Sequence, residues 1–348
     1  MTNAHVLRLE ERVQLALARA LMRRGRPVRV HPFPGVGTNG LARVRGRVLV
    51  DIARAPGRAT RVPAWQAVRA NLAQFLTVEV PGAQVKVEVG ERTEVAVADR
   101  EGYLDVTLEG VTLTPGRHDA TLTPVHPAGE PARGTVHVPH PAADLAVVSD
   151  IDDTIVDSGI AHGIVATITT ALLRDSASRV PLTGAPELYR ALARRASDGP
   201  PPPFFYLSTS PWNLVVFLQG FLDRHGFPSG PLLLTDWGPG AAGLFRIDTR
   251  THKLAALREL AELLPLVRFV LIGDSGQQDA EIYAAFSLER PGRVAAVYIR
   301  RAGVLDDLTD QRLERSAQEL AAAGVPFVVA VDSAAMLQHA QEHGLARR

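Results

Sequence analysis

Six apolar runs of strand length alternate with helix-length segments beyond residue 145. Strands that are apolar throughout and alternate with helices are typical of a parallel sheet covered by helices on both faces. We therefore predict an α/β domain of the doubly wound type over residues 141–348. In such sheets ligands bind at the carboxyl ends of the strands. The runs are Leu145–Ser149, Phe204–Ser208, Leu232–Thr235, Phe269–Gly273, Val294–Ile299 and Pro326–Val331.

A different pattern precedes this domain. Residues 28–140 contain seven short β-rich runs, several with alternating apolar and polar residues, separated by Gly, Pro, Asp and Asn. This pattern predicts a small all-β, sandwich-like domain, and residues 139–144 are a candidate linker. The runs are Val44–Val50, Thr77–Val80, Gln84–Val89, Glu94–Ala98, Tyr103–Leu108, Ala120–Thr123 and Gly134–Val138.

The amino-terminal segment 1–27 predicts an amphipathic helix over 5–24, because Val6, Leu9, Val13, Leu17 and Leu21 form a stripe. Residues 1–61 hold 13 Arg against three acidic residues, a net charge of +10, whereas the whole chain carries +1. Such an excess is typical of a protein with an anionic partner. We expect no nucleic acid, and peripheral contact of this helix with an anionic membrane is one interpretation. The alternative is that the stripe packs on a domain and the Arg side chains are solvated.

Composition excludes several classes of protein. Cys is absent, which excludes disulfides and thiolate metal sites. The longest apolar run, 320–331, is well short of the roughly 20 apolar residues that a membrane span needs. The segment 1–15 already carries His5, Arg8, Glu10, Glu11 and Arg12, which argues against a secretory signal. We therefore expect a cytoplasmic protein without a transmembrane segment.

Two carboxylates follow the first apolar run of the α/β part. Asp150 and Asp152 lie two positions apart where Leu145–Ser149 ends, and they can take different roles there. One can attack or bind a cation while the other transfers a proton. The alternative is a solvated or calcium-binding acidic loop, but the Gly and Glu of an EF-hand loop are not at their places.

Hydroxyl groups and an unusual lysine follow further along the chain. Ser208 and Thr209 come at the end of the second strand, before a helix that we expect to begin at Pro211, and hydroxyls there can bind an anion or cap the helix. Lys253 is one of two Lys among 38 basic residues. In a chain whose other basic residues are almost all Arg, a Lys indicates a position where a compact point charge is needed.

Two more carboxylates follow the strand Phe269–Gly273. Asp274 comes at its exit and Asp279 lies five positions later, at the start of a predicted helix, where helix capping by Asp274 is the alternative. The spelling Gly-x-Gly-x-x-Gly at 35–40 matches a dinucleotide-binding fingerprint, but it precedes a strand rather than a helix. We therefore reject that motif.

The order of these motifs resembles a known superfamily. Asp-x-Asp-x-Thr, a strand that ends in Ser, then Lys, then Gly-Asp-x-x-x-x-Asp form the four-motif pattern of the haloacid dehalogenase (HAD) superfamily of phosphotransferases. The strings SDIDDTI, YLSTSPWNL, THK and LIGDSGQQDAEIY further resemble the catalytic domain of the actin-patch-protein type of phosphatidate phosphatase, domain of unknown function 2183. The resemblance covers about 145–300 and implies a HAD-like Rossmannoid sheet.

The resemblance implies a metal-assisted mechanism. Asp150 would be the nucleophile that forms an aspartyl-phosphate. Mg²⁺ would be bound by Asp150, Asp274 and the backbone carbonyl of Asp152, because positive charge must offset the repulsion between carboxylate and phosphate. Asp152 would protonate the leaving alkoxide and then activate water. Lys253 would offset the remaining charge.

The same resemblance gives supporting roles to further residues. Ser208, together with Thr209 and Lys253, would bind the phosphate of the substrate. Thr154 would fix the turn after the first strand. Asp279 would bind the metal through water or orient its ligands.

The expected activity is Mg²⁺-dependent hydrolysis of phosphatidate or a related lipid phosphate to diacylglycerol and phosphate. The gaps in sequence from Asp150 to Ser208 and from Ser208 to Lys253 are too short for a large cap domain over the site. A site with little cover can admit a bulky substrate. Two alternatives stay open: a soluble sugar, nucleotide or protein phosphate as substrate, or a lipid- or protein-binding module with an inactive HAD domain.

Overall fold

The computed structural model describes residues 15–51, 78–155, 180–194, 199–235, 248–301, 303 and 305–347. These residues form two compact units, the first ending at Pro139 and the second beginning at His140. Among them, no helix has both the length and the apolar character that crossing a bilayer requires.

The first unit is one curled sheet of eight strands rather than the two separate sheets of a sandwich. Its hydrogen-bonded order is β3-β2-β1-β8-β7-β4-β5, and β6 pairs with β2. Side chains from one face of these strands meet in a single buried cluster, because the sheet curls around them. The strands are β1 (Val28–Thr38), β2 (Gly40–Val50), β3 (Val78–Glu79), β4 (Gln84–Val89), β5 (Arg92–Val97), β6 (Tyr103–Val111), β7 (Gly116–His126) and β8 (Ala132–Val138).

Strand β1 was not predicted because Pro and Gly at 32–37 are typical of turns. It pairs with β2 across an irregularity between Phe33 and Val36, which is where a strand tolerates Pro. A Cβ on Gly35 would lie 2.5 Å from the Arg43 carbonyl oxygen, so close backbone approach explains that glycine. The glycine-rich spelling at 35–40 thus lies in a β-hairpin, and the next element is a strand.

Residues 15–23 are helical, and residues 5–14 of the predicted amino-terminal helix lie outside the described part of the chain. Ala18 is fully buried in the core of the first unit, and Leu21 and Met22 pack against that core. Leu17, assigned to the apolar stripe, is 49% exposed and does not pack into that core. The buried face favours the interpretation in which this helix packs on a domain.

The second unit confirms the predicted α/β class. Its six strands are all parallel, in the order β11-β10-β9-β12-β13-β14. They are β9 (Leu145–Ser149), β10 (Phe204–Pro211), β11 (Leu232–Thr235), β12 (Arg268–Asp274), β13 (Val294–Arg300) and β14 (Phe327–Ala330). The helices are α1 (Ala185–Arg194), α2 (Val215–Arg224), α3 (Thr249–Leu263), α4 (Asp279–Glu289), α5 (Asp307–Ala322) and α6 (Ser333–Glu342).

The strand order fixes where a ligand site can form. The chain proceeds from β9 through β10 to β11 on one side and then continues at β12 on the other side of β9. The direction of winding therefore switches between β9 and β12, where open parallel sheets leave a crevice at the carboxyl ends of their strands.

Strand β10 is longer than predicted. It runs through Pro211, and helix α2 begins only at Val215, after a short 3₁₀ turn. Leu214 precedes α2 and makes no side-chain cap, so the interpretation of Ser208 and Thr209 as helix caps was wrong. Proline is tolerated here because the pairing of β10 with β11 is irregular between Leu207 and Pro211.

Arg293 fastens the end of α3 to the sheet. Its guanidinium donates to the carbonyl oxygens of Val267 at 2.9 Å, Leu264 at 2.6 Å and Ala261 at 3.3 Å. It also lies 5.6 Å from the ring centroid of Phe269. The carbonyl of Ala261 lies in the last turn of α3, where carbonyls lack partners within the helix, whereas that of Leu264 also accepts from the Val267 amide at 3.2 Å.

Replacing Arg293 with Ala is expected to lower the free energy of unfolding by about 1.5–3 kcal/mol, the usual contribution of a hydrogen bond to a charged group. Arg290→Ala is the matched control, since the side chain of Arg290 makes an exposed ion pair with Glu262 at 3.6 Å. That variant should lose less than about 1 kcal/mol. Denaturant unfolding measures both, and equal losses would contradict the role of Arg293.

Candidate active site

Four side chains meet where the winding of the parallel sheet switches. Asp150 directly follows β9, and its amide donates to the Ile272 carbonyl oxygen of the adjacent β12 at 2.8 Å. Asp274 is the last residue of β12, Lys253 lies on α3, and Asp279 is the first residue of α4. The topology therefore brings together residues that are far apart in the sequence.

Lys253 is fully buried and is shared by two carboxylates. Its Nζ donates to Asp150 Oδ1 at 2.8 Å and to Asp279 Oδ1 at 2.5 Å. Burial alone would lower the pKa of Lys253, but the charges of Asp150 and Asp279 raise it above its ordinary value. The lysine is therefore a permanent positive charge inside the site.

Carboxylates outnumber cations in this cluster. One oxygen each of Asp150, Asp274 and Asp279 lies within 4.8 Å of the others, and all three residues are buried. Burial raises the pKa of Asp150 well above its ordinary value, against the opposing charge of Lys253. Burial and the charge of Asp279 raise the pKa of Asp274 to about 8. One lysine does not balance three buried carboxylates, so additional positive charge would stabilise their ionised forms.

Two carboxylate oxygens are poised to receive that charge. Within the described part of the chain, Asp150 Oδ2 and Asp274 Oδ2 are buried and accept no hydrogen bond. Asp274 Oδ1 accepts from the amides of Gly276 and, at 3.0 Å, Gln277. Each carboxylate is therefore fixed by one oxygen and has the other free, and hard oxygen donors of this kind suit Mg²⁺.

Asp279 has both oxygens engaged by protein groups. Its Oδ1 accepts from Lys253, and its Oδ2 accepts from the Asp274 amide at 3.2 Å. A Cβ on Gly273 would clash with the Asp279 carboxylate, so only glycine leaves room for it. Asp279 is thus placed to orient Lys253 and Asp274.

Asp152 lies apart from this cluster of carboxylates, against β10. Its Oδ2 accepts from Ser208 Oγ at 2.8 Å and from Ser210 Oγ at 2.8 Å. Ser208 Oγ in turn accepts from the Ser210 amide at 2.9 Å. The hydroxyl that we predicted to bind phosphate therefore donates to Asp152 in this structure.

Sequence reasoning did not assign a functional role to Ser210. The pairing of β10 with β11 shifts register between Leu207 and Pro211, and such irregularities re-aim side chains. Here the irregular stretch directs Ser208 and Ser210 to one carboxylate oxygen. Two hydroxyl residues spaced by two at the end of a strand were the available signal.

The hydrogen bonds described for Thr209 and Thr154 do not involve the carboxylates of the site. Thr209 is buried, and its carbonyl oxygen accepts from Thr235 Oγ1 at 2.6 Å. The turn after β9 is closed by main-chain bonds from Thr154 and Ile155 to the Ile151 carbonyl oxygen, at 3.4 and 2.9 Å. The Thr154 hydroxyl has no partner in the described part of the chain, so the main chain, rather than this side chain, closes the turn.

Arg300 is a second residue near the site that sequence reasoning missed. It is the last residue of β13 and lies in register with Asp274. Its Nη1 donates to the Asp153 carbonyl oxygen at 2.9 Å. Asp153 has a φ of 53°, so a non-glycine residue holds a left-handed conformation in the turn that carries Asp152. Arg300 thus ties that turn to the far side of β12.

Comparison with known proteins gives two relatives. The chain is 26% identical over 236 residues to phosphatidate phosphatase APP1 of Saccharomyces cerevisiae, covering 65% of this chain and 39% of that protein. It is 27% identical over 165 residues to an uncharacterized protein of Schizosaccharomyces pombe, covering 45% of this chain and 25% of that protein. The matched region is thus well under half the length of either relative.

The chain also has a weak similarity to a solved structure. A carbohydrate acetylesterase from Xanthomonas citri is 13% identical, with 86% of this chain and 69% of that chain covered, at a TM-score of 0.30. That score is too low to support any conclusion on fold or activity.

The family described as phosphatidate phosphatase APP1, catalytic domain, matches residues 145–301, which include all the carboxylates described above and Lys253. Residues 145–301 are therefore similar to the phosphatidate phosphatase APP1 catalytic domain family.

Proposed function

We propose that this chain is a phosphatase that hydrolyses phosphatidate, or a related lipid phosphate, through an aspartyl-phosphate intermediate. The match of residues 145–301 to the APP1 catalytic domain family supports the reaction class and the substrate. The observation that carries the mechanism is the buried Lys253, whose Nζ lies 2.8 Å from Asp150 Oδ1 and leaves Asp150 Oδ2 without a hydrogen bond in the described part of the chain.

Asp150 is the proposed nucleophile. A carboxylate oxygen of Asp150 attacks phosphorus, the bond from phosphorus to the alcohol oxygen breaks, and an acyl phosphate forms. Lys253 holds the carboxylate in place through Oδ1. Because the pKa of Lys253 is raised above its ordinary value, the ammonium stays charged and reduces repulsion between the carboxylate and the phosphate.

The residues present fit a Mg²⁺ ion. Asp150, Asp274 and the backbone carbonyl of Asp152 would hold it, and the Oδ2 atoms of the two Asp side chains, unpartnered among the described residues, support this assignment. When bound, Mg²⁺ supplies the positive charge that offsets the phosphate oxygens. Asp279 orients Asp274 and Lys253 through the hydrogen bonds that both of its oxygens accept, or binds the metal through water.

Asp152 transfers the proton in both steps. It protonates the leaving alkoxide in the first step. In the second step it accepts a proton from the water that attacks phosphorus, the bond from phosphorus to Asp150 breaks, and phosphate leaves. Its hydrogen bonds to Ser208 and Ser210, both at 2.8 Å, hold its carboxylate beside the nucleophile's turn.

A bulky substrate agrees with the spacing of the motifs. The short stretches of sequence between Asp150, Ser208 and Lys253 leave no room for a large cap domain inserted there. A phosphate on a lipid at an interface can reach only a site with little cover. The spacing therefore agrees with phosphatidate, and also with a protein phosphate, as the substrate.

Asp150→Asn should lower the release of phosphate from an aryl phosphate by at least about 10³-fold, as expected when a covalent nucleophile is lost. Asparagine keeps the shape but removes both the nucleophilic charge and a metal ligand. Glu262→Gln, at an exposed carboxylate, is the control and should keep full activity. Full activity of Asp150→Asn, or wild-type activity undiminished by a chelator, would contradict the mechanism.

Asp152→Asn should form the phosphoenzyme and then fail to hydrolyse it. An aryl phosphate has a good leaving group and needs little acid assistance in the first step, whereas water activation in the second step is lost. Intact-mass measurement after mixing should detect an added phosphate that the wild-type enzyme does not accumulate. Wild-type turnover by this variant would exclude Asp152 from proton transfer.

Phosphatidate in phosphatidylcholine vesicles should be hydrolysed with kcat/KM about tenfold or more above that for glycerol phosphate, sugar phosphates and nucleotides, because the lipid offers binding energy remote from the phosphate. The Asp150→Asn variant reports background release. If a soluble ester is preferred, the lipid assignment is wrong while the phosphatase chemistry stands.

A further inference from the structure

Ser210 makes a contact that the proposed chemistry does not yet use. Its side chain is 1% exposed, and its hydroxyl donates to Asp152 Oδ2 at 2.8 Å. Ser208 donates to the same oxygen at the same distance. Two donors on one oxygen leave Asp152 Oδ1 as the oxygen that can transfer a proton.

The two hydroxyls differ in what else they can do. The single hydroxyl hydrogen of Ser208 lies on Asp152 here, and the Ser210 amide already donates to Ser208 Oγ at 2.9 Å. If Ser208 turns its hydrogen to a phosphoryl oxygen in the substrate complex, it must release Asp152. Ser210 is then the remaining hydroxyl of this pair that holds the carboxylate.

We propose that Ser210 is a positioning residue that holds Asp152 Oδ2 throughout hydrolysis, so that Oδ1 faces first the leaving oxygen and then the attacking water. This inference rests on the proposed function, in which Asp152 transfers the protons. No bond forms or breaks at Ser210 itself.

A purely structural role for the Ser210 hydroxyl has little support. Helix α2 begins at Val215 without a side-chain cap, so the hydroxyl does not start that helix. Strand β10 departs from regular register at this position, which turns Ser210 toward Asp152. A strand irregularity that aims a buried hydroxyl at a carboxylate beside the site is typical of a functional constraint.

The proposal predicts that, with an aryl phosphate as substrate, loss of the Ser210 hydroxyl slows mainly the second step, hydrolysis of the phosphoenzyme. The first step needs little acid with such a leaving group, whereas the second step always needs Asp152 to accept a proton from water. Ser210→Ala should therefore lower kcat about tenfold, part of the roughly 10²–10⁴-fold that general acid–base catalysis contributes, with KM unchanged. Phosphoenzyme should accumulate, as detected by intact mass.

Three further variants serve as comparisons for Ser210→Ala. Ser210→Thr keeps the hydroxyl and should restore kcat to within about threefold of the wild type and abolish the accumulation. Ser208→Ala should instead slow phosphoenzyme formation and show no accumulation. Ser287→Ala is the control, because Ser287 is also a buried serine but donates to the Tyr283 carbonyl oxygen within α4, and it should behave as wild type.

The outcomes separate this inference from the proposed function. If Asp152→Asn accumulates phosphoenzyme and folded Ser210→Ala does not, the inference is wrong and the phosphatase mechanism stands. If Asp152→Asn turns over normally, this inference and the proposed proton transfer by Asp152 are both wrong, while Asp150 can still be the nucleophile. Equal losses in Ser210→Ala and Ser210→Thr would also overturn the role of the hydroxyl. Should Ser210→Ala not fold, Ser210→Cys, with similar volume and a weak donor, must show the same accumulation.

Discussion

A lysine ammonium buried between two carboxylates is the constraint on which the site depends. An unpaired charge of this kind would be prohibitively costly in the protein interior, so Lys253 can be fully buried only because Asp150 and Asp279 accept its hydrogen bonds. The pairing in turn fixes one oxygen of Asp150. The carboxylates outnumber this one lysine, and in the proposed mechanism Mg²⁺ offsets the remaining negative charge.

The topology of the sheet makes this pairing achievable. Asp150 and Asp274 are distant in sequence, but β9 and β12 are hydrogen-bonded neighbours in the sheet. Asp150 directly follows β9, and Asp274 is the last residue of β12. Gly273 lets Asp279 fold back against β12, and Arg300 reaches across from β13 to the turn that carries Asp152. Three adjacent strand ends therefore hold the groups of the candidate site, and rigid elements of this kind keep such groups in place.

The sequence predicted what depends on period and order along the chain. The six apolar runs correspond to the six parallel strands, and the four motifs identified Asp150, Lys253, Asp274 and Asp279 as a group. It could not predict what depends on tertiary contacts. Strand β1 was hidden because its Pro and Gly residues are explained only by the close approach of β2.

The hydroxyl partners of Asp152 were hidden for a similar reason. A local irregularity in β10 turns Ser210 toward Asp152, and no sequence period reports such an irregularity. Leu17 likewise follows the helical period of the predicted stripe, yet Ala18 is the residue that packs into the core, since the position of a helix on its domain sets which face is buried.

Chemical trapping of the intermediate tests the central claim most directly. Wild-type enzyme turning over an aryl phosphate would be quenched in acid and treated with borohydride, which reduces an acyl phosphate to an alcohol. Peptide mapping by mass spectrometry would then locate the modified residue. We expect homoserine at position 150, in proportion to the phosphoenzyme present at the quench. Homoserine at another aspartate, or none while phosphate is being released, would contradict Asp150 as the nucleophile.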